Sequence, residues 1–329
     1  MGVNLDGLLL AVDAGNSKTD VAVLAPDGTV LGEARGGGFQ PPVVGVEAAV
    51  GALAEIVDRA WQAAGGAAVP VAFAQVAACL ANADLPVEEA ALKAGLEARG
   101  WGGAVHVWND TFAILRAGVD EPRGVAVVCG AGINCVGMLP DGRTARFPAI
   151  GKISGDWGGG GGMAEEALWF AARAEDGRGK PTALARTLPG HFGLPTMYAL
   201  IEALHLGRIP VERRHELTPV LFRTSAEGDP IARSLVDRLA DEVVALASVA
   251  LGRLGLLDEE VPVLLGGSVL AARHPRLDDR IAGLLAAKAP KAVVGVVAAP
   301  PVLGAGLLAL DAAGAGPAAA ERLRGYYGG

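Results

Sequence analysis

Three aspartates and two glycine turns are the residues of this chain best suited to chemistry. Asp13 stands where an apolar strand ends, ahead of Gly15-Asn16-Ser17-Lys18-Thr19-Asp20 and a second apolar strand. Gly15 lets a backbone bend or approach a ligand closely. Ser17, Lys18 and Thr19 offer hydroxyls, amides and one positive charge, the set a phosphate chain and its metal ion require. A β-hairpin with a polar tip would read the same way, and the residues alone leave both open. Asp110 follows Trp108-Asn109 at the end of another apolar strand and precedes a helix. It suits an N-cap, or a ligand group at the carboxyl end of a strand in an open α/β sheet. Two acids at two such strand ends carry more weight than either alone. Asp156, in Gly151-Lys152-Ile153-Ser154-Gly155-Asp156-Trp157, is either a turn former or a third site acid.

The second glycine turn repeats the first. Val125 to Val128 reads as a strand, Cys129-Gly130-Ala131-Gly132 as a turn, and Ile133 to Leu139 as a strand. Pro140-Asp141-Gly142-Arg143 then matches Pro26-Asp27-Gly28-Thr29. Strand, glycine turn, strand and Pro-Asp-Gly hairpin thus open each half, which is an internal duplication. Two related lobes with such turns can grip a phosphate chain from both sides.

Other elements must position these groups. Val30 to Ala34 reads as a third strand, and Gly36 to Pro42 as a loop that can be neither helix nor central strand, carrying Gln40. Helical spacing runs from Val46 to about Ala64, and Pro86 to Arg99 is a helix closed by Gly100. Val69 to Leu80 and Ala104 to Trp108 read as buried strands. His106, inside the latter, suits a core position better than a ligand role. Gly158 to Gly162 is either a linker or the approach to a helix N-terminus that meets an anion, with the helix over Met163 to Arg173. Asp229 to about Gly255 is a long helix, Pro262 to Leu265 a strand, and Gly266-Gly267-Ser268 a tight turn into a helix. Val293 to Val297 is a further strand. Pro301 to Leu310 is a helix whose Leu303-Gly304-Ala305-Gly306 offers a small-residue contact face, and the last residues read as a frayed tail.

The chain has 329 residues, enough for two domains, and is 51% hydrophobic with 19% charged residues, so it is globular. A net charge of −8 with no basic stripe argues against nucleic acid and anionic membranes. Cys79, Cys129 and Cys135 lie in apolar contexts without a CxxC pair, as buried free thiols in a reducing compartment do. With no basic residue before Lys18 there is no secretory signal pattern, and no long apolar run suggests a membrane span. A cytoplasmic location is expected.

The order of motifs resembles the actin-like ATPase superfamily, and within it the BadF/BadG/BcrA/BcrD family, especially its N-acetylglucosamine kinase branch. The first phosphate motif matches Asp13 to Thr19, the catalytic acid Asp110, and the second phosphate motif Gly130-Ala131-Gly132-Ile133-Asn134-Cys135. The sugar-contacting acid matches Asp156, the sugar loop Gln40, the adenosine motif Gly266-Gly267-Ser268, and the closing helix Leu303-Gly304-Ala305. The resemblance implies an α/β fold of two ribonuclease-H-like lobes with mixed sheets and an interlobe cleft. The lobes would span 1–117 plus 302–329, and 118–301 with a helical insert at about 176–230. It implies ATP as donor and Mg²⁺ near Asp13, with Asp110 as general base toward the 6-hydroxyl of an amino sugar, foremost N-acetylglucosamine. Gly15, Asn16, Ser17, Lys18, Thr19, Gly130, Ala131, Gly132, Gly266, Gly267 and Ser268 would meet ATP. Gln40, Asn109, Asp110, Asn134, Gly151 and Asp156 would meet the sugar. A homodimer is implied as well. The chain departs from the family pattern at Asn16, where glycine is usual, and at Gln40, where asparagine is usual. It departs also at Ala131 and Ile133, where Thr and Ser are usual, so two hydroxyls that could face ATP are absent. A reductase-activating ATPase of the same family, a non-catalytic sugar or nucleotide sensor, and a pantothenate kinase of the type that opens with Asp-x-Gly-Asn-Thr/Ser, which Asp13 to Ser17 resembles, are the alternative readings.

Overall fold

The computed structural model describes residues 7–66 and 72–328. Its strands are β1 (Leu9–Ala14), β2 (Lys18–Leu24), β3 (Val30–Gly37), β4 (Phe73–Leu80), β5 (Gly102–Asn109), β6 (Gly124–Cys129), β7 (Ile133–Met138), β8 (Thr144–Arg146), β9 (Val261–Gly266) and β10 (Ala292–Val296). The helices are α1 (Pro41–Val44), α2 (Val46–Ala63), α3 (Pro86–Glu97), α4 (Thr111–Ala117), α5 (Gly159–Glu175), α6 (Leu184–His191), α7 (Met197–His205), α8 (Leu217–Ala226), α9 (Pro230–Leu254), α10 (Gly267–Ala271), α11 (Pro275–Lys288), α12 (Pro301–Ala312) and α13 (Pro317–Tyr327). The strands form two five-stranded sheets, ordered β3-β2-β1-β4-β5 and β10-β9-β6-β7-β8. This is the mixed-sheet α/β class expected from the sequence. Among the described residues no helix is long and apolar enough to cross a membrane.

The chain divides into two compact units, Met1–Ala126 with Val136–Pro148 and Val297–Gly329, and Val127–Cys135 with Ala149–Val296. In the first, β1 runs antiparallel to β2 and parallel to β4, and β4 parallel to β5. A strand covered on both faces needs apolar residues at every position, and β1 is buried along its whole length. Leu10, Val12 and Ala14 pack with the α2 stripe of Val50, Leu53, Val57 and Trp61. On the other face α12 lies against β1 and β4. Gly304 permits this: a Cβ there would sit 1.8 Å from the Ala113 oxygen of α4. Alternation along β1 puts Asp13 on the same face as Leu9 and Ala11.

In the second unit β9 pairs parallel with β10. The long α9 starts at Asp229, whose carboxylate accepts the Ala232 N–H at 2.8 Å, and stops at left-handed Gly255. Residues between α5 and α9 form α6, α7, a 3₁₀ turn at Val211–Glu216 and α8.

Four expectations change. The expected frayed tail is helix α13, pinned in the first unit by buried Leu323, by Arg324 donating to the Ala117 oxygen at 2.9 Å, and by Tyr326 donating to Glu33 at 2.7 Å. Helix α5 begins at Gly159, not Met163, because close packing on the second glycine turn overrides the poor helix propensity of glycine. The expected loop at Gly36 to Pro42 is divided: Gly36 and Gly37 extend β3, and Pro41-Pro42 open α1, where proline has no N–H to lose. β4 begins at Phe73 rather than Val69; residues 69–71 lie outside the described residues.

Candidate active site

The first unit gathers its polar groups at the carboxyl ends of β1, β4 and β5. Asp13 ends β1 opposite Asp20 of β2, and its neighbour in β4 is Cys79. Asp20 is answered by Arg35, at 2.5 and 3.1 Å, and by Lys18 at 3.3 Å. Asp13 is 6% exposed. Burial, then the charges of Asp110 and Asp20, push its carboxyl up to about 8. Asp110, its surface only partly exposed, is pushed up to about 6 by burial, with the Thr111 and Asp110 amides pulling the other way. Cys79 lies in the same region, and burial followed by the charges of Asp13 and Asp110 raises its thiol well above the usual range.

Asp110 holds the N-cap position of α4 but makes no side-chain capping hydrogen bond. Asn109 supplies one instead: its Oδ1 accepts the Thr111 N–H at 3.0 Å, and its Nδ2 donates to Asp84 at 2.8 Å.

The turn between β1 and β2 is closed by the Gly15 N–H donating to the Lys18 oxygen at 2.9 Å. Gln40 donates through Nε2 to the Asn16 oxygen at 2.9 Å, and the Phe39 N–H donates to the Gly15 oxygen at 2.9 Å. Gly38 is required there, since a Cβ would lie 2.0 Å from the Asn16 oxygen. Asn16, Ser17 and Lys18 are exposed, and Thr19 is buried.

The second unit uses backbone instead. The Gly130 N–H donates to the Gly132 oxygen at 2.9 Å. The first amides of α5 cap onto the same turn, Gly160 to the Gly130 oxygen at 2.7 Å and Gly161 to the Ala131 oxygen at 3.1 Å. These two amides, expected to be open to an anion, are taken within the chain. Gly159, at φ +73°, admits the approach: a Cβ would sit 2.5 Å from Ala131 and Gly132 backbone atoms. Ile133 is buried against Gly158, and Asn134 accepts the Cys135 N–H at 2.7 Å. Gly267, at φ +81°, brings the Gly266–Ser268 turn against the end of β6, with a Cβ 2.5 Å from Cys129. Ser268 is exposed.

Asp156 closes its own loop. Its Oδ2 accepts the Gly151 N–H at 3.0 Å and the Ser154 hydroxyl at 2.5 Å, so the turn-forming role is fulfilled. Next to it a cavity of about 270 Å³ is lined by Ala131, Gly132, Lys152, Asp156, Trp157 and Glu166, among others. Arg238 stacks over Trp157 at 4.1 Å, and burial with the nearby Asp156 raises the carboxyl of Glu242. The cavity abuts the second glycine turn and has both charged and apolar walls, as a sugar-sized ligand requires.

Asp13, Asp110, Asn16, Ser17, Lys18, Gln40 and Asn109 therefore gather in one unit, and Gly130 to Gly132, Gly151, Asp156 and Gly266 to Ser268 in the other. Asn82 and Asp84, directly after β4, were not anticipated. Asn82 donates to the Asn16 Oδ1 at 3.0 Å. Polar residues following a buried parallel strand are the signal that pointed to Asp13 and Asp110, and it applies here too. His106, as expected, has a protein partner, Gln75 at 2.9 Å.

Asp13, a buried carboxyl that resists ionisation, fits a hard divalent cation such as Mg²⁺, which would hold it charged. The exposed donors of the first turn fit an anionic chain.

Two mixed α/β sheets, the first with three antiparallel strands leading into two parallel ones, define a duplicated ribonuclease-H-like protein. The chain belongs to the BadF/BadG/BcrA/BcrD ATPase family, whose model matches residues 10–308. It is 25% identical over 190 residues to an N-acetylmuramic acid/N-acetylglucosamine kinase of Clostridium acetobutylicum, covering 58% of this chain and 62% of that one. It is 26% identical over 209 residues to an N-acetyl-D-glucosamine kinase of Dictyostelium discoideum, covering 62% and 65%. The matches thus span less than two thirds of these curated relatives. Its fold is similar to that of a provisional N-acetylglucosamine kinase from Chromobacterium violaceum (TM-score 0.70, 23% identity, 92% of this chain and 99% of that one). It is also similar to a ROK family glucokinase from Streptomyces griseus, solved with glucose and AMPPNP (TM-score 0.57, 18% identity, 92% and 99%).

Proposed function

We propose that this chain is an ATP-dependent sugar kinase that phosphorylates the 6-hydroxyl of an amino sugar, N-acetylglucosamine first among them. Family membership and the names of the two curated relatives support the reaction class. The observation that carries the reading is Asp110, a strand-end carboxyl relieved of capping by Asn109 and raised to about 6. A base with that value is ionised at neutral pH yet basic enough to accept a hydroxyl proton.

Asp110 accepts the proton of the primary hydroxyl as its oxygen bonds to the γ-phosphorus and the bond to the ADP oxygen breaks. Asp13 would hold Mg²⁺, which supplies charge neutralisation on the phosphate oxygens. The Gly15–Thr19 turn and the glycine turns of the second unit hold ATP, the latter through backbone. Asp156, Asn134, Gly151, Gln40 and Asn109 arrange the sugar. Because Asp156, Gly151, Gln40 and Asn109 are already bonded within the protein, they act as preset walls rather than free arms. A homodimer in the cytoplasm belongs to the same proposal.

The test is Asp110→Asn in a coupled ADP-release assay. The amide keeps the shape and cannot take the proton, so kcat should fall about 10²–10⁴-fold with sugar binding retained. Near wild-type turnover would remove Asp110 from the role of base.

A further inference from the structure

We propose that Asn82 is a positioning residue that sets Asn16 as a hydrogen-bond donor to the phosphate chain of the nucleotide. The nucleotide comes from the kinase reading above; the rest is geometry of the first unit. Asn82 has φ +64°, left-handed backbone that few residues other than glycine adopt and that asparagine tolerates best among them. From there its Nδ2 donates to the Asn16 Oδ1 at 3.0 Å and to the Phe39 oxygen at 3.2 Å.

The second contact fixes the first. A main-chain carbonyl only accepts, so Asn82 must present its NH₂ to Phe39. The same NH₂ meets Asn16, which must therefore present its oxygen. The Asn16 NH₂ is thereby turned to the other side of its amide plane, and among the described residues nothing accepts from it. Gln40 is oriented by the same rule, because the Asn16 oxygen to which it donates is also a main-chain carbonyl.

These bonds change what the turn shows to an anion. The carbonyls of Gly15 and Asn16 would repel a phosphate, but both are bonded within the protein, to the Phe39 N–H and to Gln40. What the exposed tip offers is donors: the Asn16 NH₂ and the Ser17 hydroxyl. The second glycine turn has no side-chain donor at Gly130, Ala131 or Gly132, so directed side-chain donation to phosphate falls to the first. Asn82 sets its direction without touching the ligand.

Two substitutions separate positioning from support. Asn82→Gly keeps the left-handed backbone and removes the amide. Asn16→Asp keeps the Oδ1 that Asn82 needs and replaces the donor by a carboxylate oxygen. Mg·ATP is titrated calorimetrically into the full chain and each variant, and urea unfolding of the ligand-free proteins is measured alongside. Asn16→Asp should weaken ATP about tenfold or more, and Asn82→Gly about three- to tenfold, with ligand-free stability close to wild type. Adding Asn82→Gly to Asn16→Ala should cost no further affinity, since the donor it directs is already gone. Wild-type affinity in Asn16→Asp and Asn82→Gly, or losses in the combined variant that multiply, would overturn the proposal. So would affinity losses that track losses of ligand-free stability, which assign a structural role only. A wild-type chain that binds no ATP would overturn the kinase reading and this proposal with it; wild-type binding with indifferent variants overturns this proposal alone.

Discussion

The Gly15–Ser17 turn and the Gly130–Gly132 turn each join two strands in three residues, and each is followed by a Pro-Asp-Gly hairpin built in the same way. In both hairpins the glycine is left-handed, at φ +85° for Gly28 and +86° for Gly142, and the aspartate accepts the N–H two residues on at 3.0 Å. The hairpins have stayed alike, whereas the turns have diverged. The first is held by the Phe39 N–H and by the side-chain amides of Gln40 and Asn82. The second is held by main chain, with the amides of Gly160 and Gly161 taking its carbonyls. Side-chain fixation leaves a polar, exposed tip whose donors can be aimed. The helix that packs on the second turn needs glycine at its start, and the turn exposes Ala131 and Gly132, with no polar side chain. One duplicated unit has thus become an exposed polar turn and a close-packed shelf.

Four substitutions or conditions probe that difference. Gly159→Ala should have the largest effect, because it forces a left-handed alanine whose Cβ meets backbone at 2.5 Å. A loss on the order of 3 kcal/mol or more is expected in chemical unfolding. Gly132→Ala, where an added Cβ meets nothing within 4 Å, should cost far less. Equal costs would contradict the shelf.

Asp13→Asn comes next. The Asp13 carboxyl is raised from 3.8 to about 8 in the folded chain, so folding favours its protonated form. The stability this lends is whole below about pH 4 and is lost as pH rises to about 8. Ligand-free Asp13→Asn should therefore match wild type near pH 4 and exceed it by about 1–3 kcal/mol at pH 8. A difference independent of pH would show that burial of this acid is not strained.

For turnover, Asp110 protonated at about 6 cannot act as base, so kcat should fall about tenfold per unit below that value and level off above it. An Asp110→Glu or wild-type profile without that limb would argue for another base. The smallest effect is expected from Ala131→Ser, which returns a hydroxyl to the exposed shelf. A gain of about 0.5–1.5 kcal/mol in ATP affinity is expected, read as a KM two- to tenfold lower with stability unchanged.

Much of this was legible in the sequence. The duplication, the two acids at strand ends and the left-handed glycines of the hairpins follow from local spacing and backbone sterics, which the chain states residue by residue. Asn82 and Asp84 were missed because their roles depend on partners 66 and 25 residues away, Asn16 and Asn109, and no local pattern encodes such pairings. The glycine run before Met163 reads as a linker or as the approach to a helix, and not as helix itself, for the same reason. Its helical state is set by a turn nearly thirty residues earlier, whose carbonyls need amides. Helix α13 was missed because alanine and glycine dilute its periodicity, and its anchors, Leu323 and Arg324, act through elements far back in the chain.

The central claim is phosphoryl transfer from ATP to an amino sugar, and the most direct measurement is ADP release by the wild-type chain with Mg·ATP and a panel of hexoses. The account predicts release that depends on added sugar, is greatest with N-acetylglucosamine and yields its 6-phosphate as product. ADP release unaffected by any sugar, or none at all with ATP bound, would contradict it.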